Sequence, residues 1–271
     1  MRPSRIITLS TIPPRFPYIE RTLASLAAQE SVDSVILYIP RQYKRFQNQN
    51  IDLIRVPKKV KLNLVDTDYG PATKVLPAIE EFSDSSAQIL FCDDDLIYPP
   101  GWAKTLFEIQ SRRPSEAVAT IGRITATSNR TITETEPRAI ELKHQQDISY
   151  RAAWWLSKLL NLSPPLWRPI KKAGYIDILF GVGGAVVRPH FFDGEAFEIP
   201  EIVWPVDDIW LSAQLAKRKI PIFAPKRLPC PPAAEHSTNN SLLKAEFEGM
   251  GRQELNSEAI RWCQKQYNIW L

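Results

Sequence analysis

Short β-branched runs alternate with segments of helical spacing through positions 1–122 of the chain. Arg5–Ser10, 35–39, Val60–Val65, 88–92 and 117–121 each read as a strand. A proline turn at 12–17 leads into a helix over 18–28, where Ile19, Leu23, Leu26 and Ala27 share one face. Further helices are expected at 72–82 and Trp102–Ser111. Strands alternating with helices are the mark of βαβ units and a mostly parallel sheet, so this half reads as nucleotide-binding-like.

Beyond it the pattern is less regular. The polar stretch 125–141 has no clear period and reads as a loop that could serve as a lid. Positions 151–161 are apolar and Trp-rich, 176–187 hold a glycine cluster, 206–219 form a helix and 220–224 a strand. Prolines at 229–232 mark a boundary, and 241–271 read as a helical tail. The expected organisation is one domain over 1–240, made of a nucleotide-binding half (1–122) and an acceptor-binding half (123–240), followed by that tail.

Composition narrows the function classes. With 271 residues, 44% of them hydrophobic, the chain can build one substantial core. Its net charge of +4 is spread through a mixed-sign sequence, unlike a nucleic-acid binder's basic face, so no nucleic-acid partner is expected. Cys92, Cys230 and Cys263 are too few and too scattered for a disulfide framework or a zinc site. The start of the chain lacks the apolar core of a signal peptide, and no apolar run approaches the roughly 20 residues that span a bilayer. A cytoplasmic protein is expected, with room for peripheral contact at a membrane.

The strongest local signal is the apolar run 88–92 ending in Asp93, Asp94 and Asp95, then a Pro-Pro-Gly turn and a helix. Three adjacent carboxylates repel one another, and the C-terminal end of a strand in an open α/β sheet is where ligands bind. A divalent cation with oxygen ligands, Mg²⁺ or Mn²⁺, resolves the repulsion. The competing reading is an acidic turn ahead of the next helix. Cys92 reads as a small buried hydrophobe, and His144 and His190 as structural.

Here the chain resembles the GT-A glycosyltransferases, family 2-like members with a DxD motif at the end of a central strand. The resemblance runs over nearly the whole chain. It implies a GT-A fold: α/β, with a mostly parallel central sheet flanked by helices. It further implies that Asp95 is a metal ligand, that Asp93 contacts ribose or metal, and that Asp94 contacts the donor sugar. Many members complete the metal shell with a late histidine, for which His236 is the candidate.

Other segments fall in the expected order. Asp68, Gly70 and Lys74 lie where a strand turns into a helix, a place suited to anions, and are nucleotide candidates. Ser10 and Arg15 follow the first strand and could contact base or diphosphate. Gly183 and Gly184, with Trp204, are expected to line the donor and acceptor pocket. Asp207 and Asp208 open a helix much as the acidic pair does in inverting members of the family. Asp208 would be the general base, kept ionised by the helix N-terminus, with Asp207 second.

The reading is therefore sugar transfer from a nucleotide-sugar, UDP- or GDP-linked, to a glycan or lipid-linked acceptor, with Mn²⁺ or Mg²⁺ as cofactor. A nucleotidyltransferase or metal-dependent phosphohydrolase would also place carboxylates at strand ends, and a silent carbohydrate-binding protein could share the fold. The Trp154-Trp155 segment could bind acceptor, touch a membrane or pack as core.

Overall fold

A computed structural model describes residues 2–46, 51–125, 137–141, 147–160, 162, 166–235 and 251–271. Twelve strands are described: β1 Arg5–Ser10, β2 Ser34–Pro40, β3 Val60–Val65, β4 Gln88–Phe91, β5 Ala117–Ala119, β6 Gly122–Arg123, β7 Ile140–Glu141, β8 Ile170–Lys172, β9 Gly174–Ile176, β10 Ile178–Leu179, β11 Ala185–Val187 and β12 Ile222–Ala224. The helices are α1 Glu20–Ala27, α2 Leu76–Glu81, α3 Trp102–Ser111, α4 Ile148–Leu159, α5 Asp207–Lys217 and α6 Arg252–Tyr267.

Eight strands form one sheet in the order β3-β2-β1-β4-β11-β5-β12-β9. The first four run parallel to one another. β11 is antiparallel to both β4 and β5, β12 is parallel to β5, and β9 is antiparallel to β12. The expected α/β architecture with a mostly parallel central sheet flanked by helices is what the chain adopts. Both faces of β2 and β4 are covered, which is why these strands are apolar at nearly every position, and β1 is buried along its middle, residues 6–9. One core holds α2, with Ile36, Phe91 and Leu211, and the other holds α1 and α3, with Leu23, Leu37 and Phe107.

One predicted turn and one predicted helix take other forms where proline and glycine intervene. The turn at 12–17 is a 3₁₀ helix, Pro13–Tyr18, and the helix expected over 72–82 divides into a 3₁₀ turn, Gly70–Lys74, and α2. The tail packs: Leu255, Ala259 and Cys263 of α6 are buried with Val206, Ile209, Trp210 and Ala213. It thereby braces α5. Positions 241–250 lie outside the described residues, as does the middle of the expected lid, 126–136. The described ends of that segment are both held by buried Asp177, which accepts from Thr125 N at 2.9 Å and from Arg138 Nη1 at 2.7 Å.

Candidate functional site

The parallel half of the sheet delivers its chain ends to one edge, and there the acidic residues collect. Asp93, Asp94 and Asp95 follow β4, while the loop after β1 brings Thr11 and Arg15 beside them. Arg15 is buried in the 3₁₀ turn and pairs with Asp94 Oδ1, and its Nη2 lies 3.3 Å from Asp95 Oδ2. Thr11 Oγ1 donates to the other Asp94 oxygen. Both carboxylate oxygens of Asp94 are thus engaged. Burial alone would lower the Arg15 pKa, but Asp94 and Asp95 outweigh it and raise it, so the guanidinium is firmly charged.

Lys74 supplies the second cation. Its Nζ donates to Asp93 Oδ1 at 2.7 Å and lies 2.9 Å from Asp207 Oδ2. The latter contact is an ion pair without hydrogen-bond geometry, and Asp207 Oδ2 has no other described donor. Desolvation pulls the lysine pKa down, while Asp207, Asp93 and Asp208 push it well above its ordinary value. The exposed lysine that a plain helix start would carry is not what the fold makes.

Asp207 and Asp208 sit at the first turn of α5 and neither caps it, since no side chain accepts from the helix's leading N–H groups. Asp208 Oδ1 accepts from Gly181 N at 2.9 Å. Burial and then Asp207 raise its pKa, with Lys74 opposing. The helix terminus was expected to keep Asp208 ionised; burial beside a like charge works against that. Asp95 follows the same logic: burial, then Asp94 and Asp93, raise it to about 6 against the pull of Arg15. Five carboxylates therefore share this edge with two buried cations, leaving an excess of negative charge.

The glycine cluster divides by role. A Cβ on Gly181 would stand 2.5 Å from Lys74 Nζ and 3.1 Å from Asp93 Oδ1, so this glycine faces the charged cluster. Gly183 and Gly184, expected in the pocket, are instead buried against the core. Gly183 O accepts from Trp102 Nε1 at 2.8 Å and Thr120 Oγ1 at 2.9 Å, and the Trp102 ring occupies the space where a Gly184 Cβ would project. Trp204 likewise fills interior space: its ring lies over Gly70, whose φ is +61°, and its Nε1 points to Asp68 O at 3.4 Å. Asp68 itself is buried, accepting from Lys44 N at 2.7 Å and Gly70 N at 2.8 Å, which fastens the loop after β2 to this turn. Ser10 is half-buried at the end of β1, next to Thr11.

The donor chemistry suits a hard divalent cation. Asp93 and Asp95 each keep one oxygen that neither Lys74 nor Arg15 occupies. Among the described residues no three His, Cys, Asp or Glu side chains converge tightly enough to hold an ion unaided. Ligand oxygens and water would have to complete the shell, the usual arrangement for Mg²⁺. His236 lies outside the described residues, as does His144. The chain leading to position 236 is described: Ala234 N donates to Asp95 O at 2.7 Å, and Ala233 bridges Leu96. Cys92 is fully buried and its thiol pKa is pushed up by desolvation, in keeping with a structural role. Thr11 and Gly181 join the candidate residues here; a hydroxyl beside a turn and one glycine among several carried no sequence signal that set them apart.

No protein-family profile matches the chain, and no curated protein matches it. Among solved structures, a crystal structure of S. aureus TarS residues 1–349 aligns with 98% of this chain and 72% of its own length, at 12% identity and a TM-score of 0.44. A longer S. aureus TarS structure aligns with 98% of this chain and 44% of its own, at 14% identity and the same TM-score.

Proposed function

We propose that the chain is a metal-dependent glycosyltransferase, moving a sugar from a UDP- or GDP-sugar to a hydroxyl of a glycan or lipid-linked acceptor with inversion at the anomeric carbon. The observation that carries this reading is the meeting of Asp93–Asp95 with Asp207 and Asp208 across Lys74, at the strand-end edge where α/β sheets bind ligands. Asp93 and Asp95 would hold Mn²⁺ or Mg²⁺, with His236 as a further ligand. When bound, the ion would supply charge neutralisation for the departing diphosphate.

The chain's own residues do the rest. Arg15 and Thr11 hold Asp94 rigid, so that it can present a fixed edge to the donor sugar. Asp208 takes the proton of the attacking hydroxyl, and its raised pKa makes it a stronger base than a solvated carboxylate. Gly181 N–H orients that carboxylate through Oδ1, leaving Oδ2 for the acceptor. Lys74 ties the donor-side Asp93 to the base-side Asp207, keeping the two halves in register.

A thermal-shift panel of UDP- and GDP-sugars with Mn²⁺ or EDTA tests donor and cation together, since a ligand at a hundredfold excess over Kd raises stability by roughly 2.7 kcal/mol. Nucleoside diphosphate should then be released only when a sugar acceptor is present. Asp208→Asn should lower turnover by at least about 10²-fold while leaving donor binding intact. A loss of only a few fold would remove the base assignment, and release of diphosphate or monophosphate into water at full rate without acceptor would favour a phosphohydrolase.

A further inference from the structure

The helix α4 is built the wrong way round for a soluble surface. Ile148, Ala152, Trp155, Leu156 and Leu159 recur at the spacing of one helical stripe, which in a globular protein faces the core. Here that stripe faces outward: Ile148 is 79% exposed, Trp155 61% and Leu159 65%, while the only buried residue of the helix is Ser157. Leu160 and Leu162, just beyond, and Ile140 on β7, which pairs with the strand that follows α4, are also exposed. Scattered surface leucines need no explanation, but a continuous apolar face does.

Charge identifies what covers it. Segment 147–172 contains five basic residues, Arg151, Lys158, Arg168, Lys171 and Lys172, against one acidic residue, Asp147. Its net charge matches that of the whole chain, +4, so the remaining sequence is balanced and the positive charge is concentrated in the stretch that carries the apolar stripe. Lys158 Nζ sits 4.1 Å from the Trp154 ring centroid, on the flank of the stripe. Apolar residues with tryptophan on one face and basic residues alongside are the makings of a helix that lies in the headgroup region of an anionic bilayer. None of the described helices is long and apolar enough to cross a membrane, so the contact is interfacial.

We infer that α4 docks the protein on an anionic lipid surface, its Ile148-Trp155-Leu159 stripe entering the interface and Arg151, Lys158, Lys171 and Lys172 meeting lipid phosphates. The docking surface stands on its own; that it brings a lipid-linked acceptor to the site rests on the transferase reading.

Flotation with vesicles of phosphatidylcholine alone, or mixed with phosphatidylglycerol, tests it without any turnover. The full chain should float with the mixed vesicles, far less with the neutral ones, and less as salt rises. Trp155→Glu/Leu159→Glu should lower partitioning by about tenfold or more, and Lys171→Gln/Lys172→Gln should lower it less and weaken the salt dependence. Because these side chains are exposed, thermal unfolding should be unchanged. The inference is overturned if the wild-type chain stays in solution with every vesicle, if the double glutamate variant floats as well as wild type, or if the stripe proves to join two copies, seen as a dimer that Trp155→Glu/Leu159→Glu dissociates without any vesicle binding. Activity on a water-soluble acceptor, unaffected by these substitutions, separates failure of docking from failure of the transferase reading.

Discussion

Lys74 Nζ lies 2.9 Å from Asp207 Oδ2, both side chains buried, and this pair joins the turn after β3 to the start of α5. The lysine simultaneously binds Asp93, so one ammonium serves carboxylates from two parts of the chain. Removing one member of a buried pair leaves uncompensated charge, which typically costs about 3–5 kcal/mol. Lys74→Met should therefore lose that much in urea unfolding at neutral pH, and adding Asp207→Asn should recover roughly 1 kcal/mol or more of it. Equal stability of the single and double variants would show that the pair is not coupled.

The glycines separate stability from activity. At Gly181 an added methyl meets the end of the Lys74 side chain, whose ammonium can shift off Asp93 while keeping Asp207, so Gly181→Ala should cost about 1 kcal/mol of stability. It displaces Lys74 from Asp93, however, and turnover should fall by roughly 10- to 100-fold. Gly184 has φ +93° and the rigid Trp102 ring against it, so Gly184→Ala should destabilise by about 2 kcal/mol or more. Paired melting curves and rate measurements on the two variants check the contrast. It fails if Gly181→Ala unfolds as easily as Gly184→Ala.

Asp95 gives the apo protein a signed pH dependence. Its pKa in the folded chain is about 6, above its ordinary carboxylate value of 3.8, because burial and the neighbouring aspartates disfavour its charge. The folded state therefore binds its proton more tightly than the unfolded state does. That contribution is fully present below pH 3.8 and is lost as pH rises through about 6, a change of at most about 3 kcal/mol. Melting temperatures of metal-free protein should show this loss, and Asp95→Asn should remove it. Mn²⁺ should stabilise the wild type above pH 6 and have little effect on the variant; an unchanged melting profile in Asp95→Asn would exclude Asp95 as its source.

Much of this was legible in the sequence, and the rest was hidden for definite reasons. β1 and β2 announce themselves because the inner strands of the parallel half are buried and read as β-branched runs, and Asp93–Asp95 stand out because crowded carboxylates are unfavourable without a partner. What periodicity does not reveal is who meets whom across the fold. Arg15 reaches Asp94 from 79 positions away, and the residue that orients Asp208 is a backbone N–H, which has no sequence signature. Gly183, Gly184 and Trp204 were expected at the pocket because glycine permits close approach, but the partner that approaches Gly184 is Trp102, and the one that approaches Gly70 is Trp204. The stripe on α4 has the spacing of a core helix, and only the folded chain shows that it points outward.

The last element of the chain bears directly on the acidic pair. Trp210 of α5 packs near Trp262 and Tyr267, with ring centroids 6.4 and 6.3 Å away, and Arg252 Nη1 donates to Pro205 O at 2.9 Å, two residues before α5 begins. The α6 residues facing this contact, Leu255, Ala259 and Cys263, are almost wholly buried. Ala259→Glu would place an unpaired carboxylate there, at a cost of several kcal/mol. Since α5 carries Asp207 and Asp208, the variant should lose activity at temperatures where the sheet core is still folded. Ser257→Glu, on the exposed side of the same helix, should alter stability by less than about 0.5 kcal/mol. Circular dichroism melts run alongside activity decay test the coupling: inactivation of Ala259→Glu should precede the loss of sheet signal, and full activity up to the main transition would mean that α6 does not brace the site.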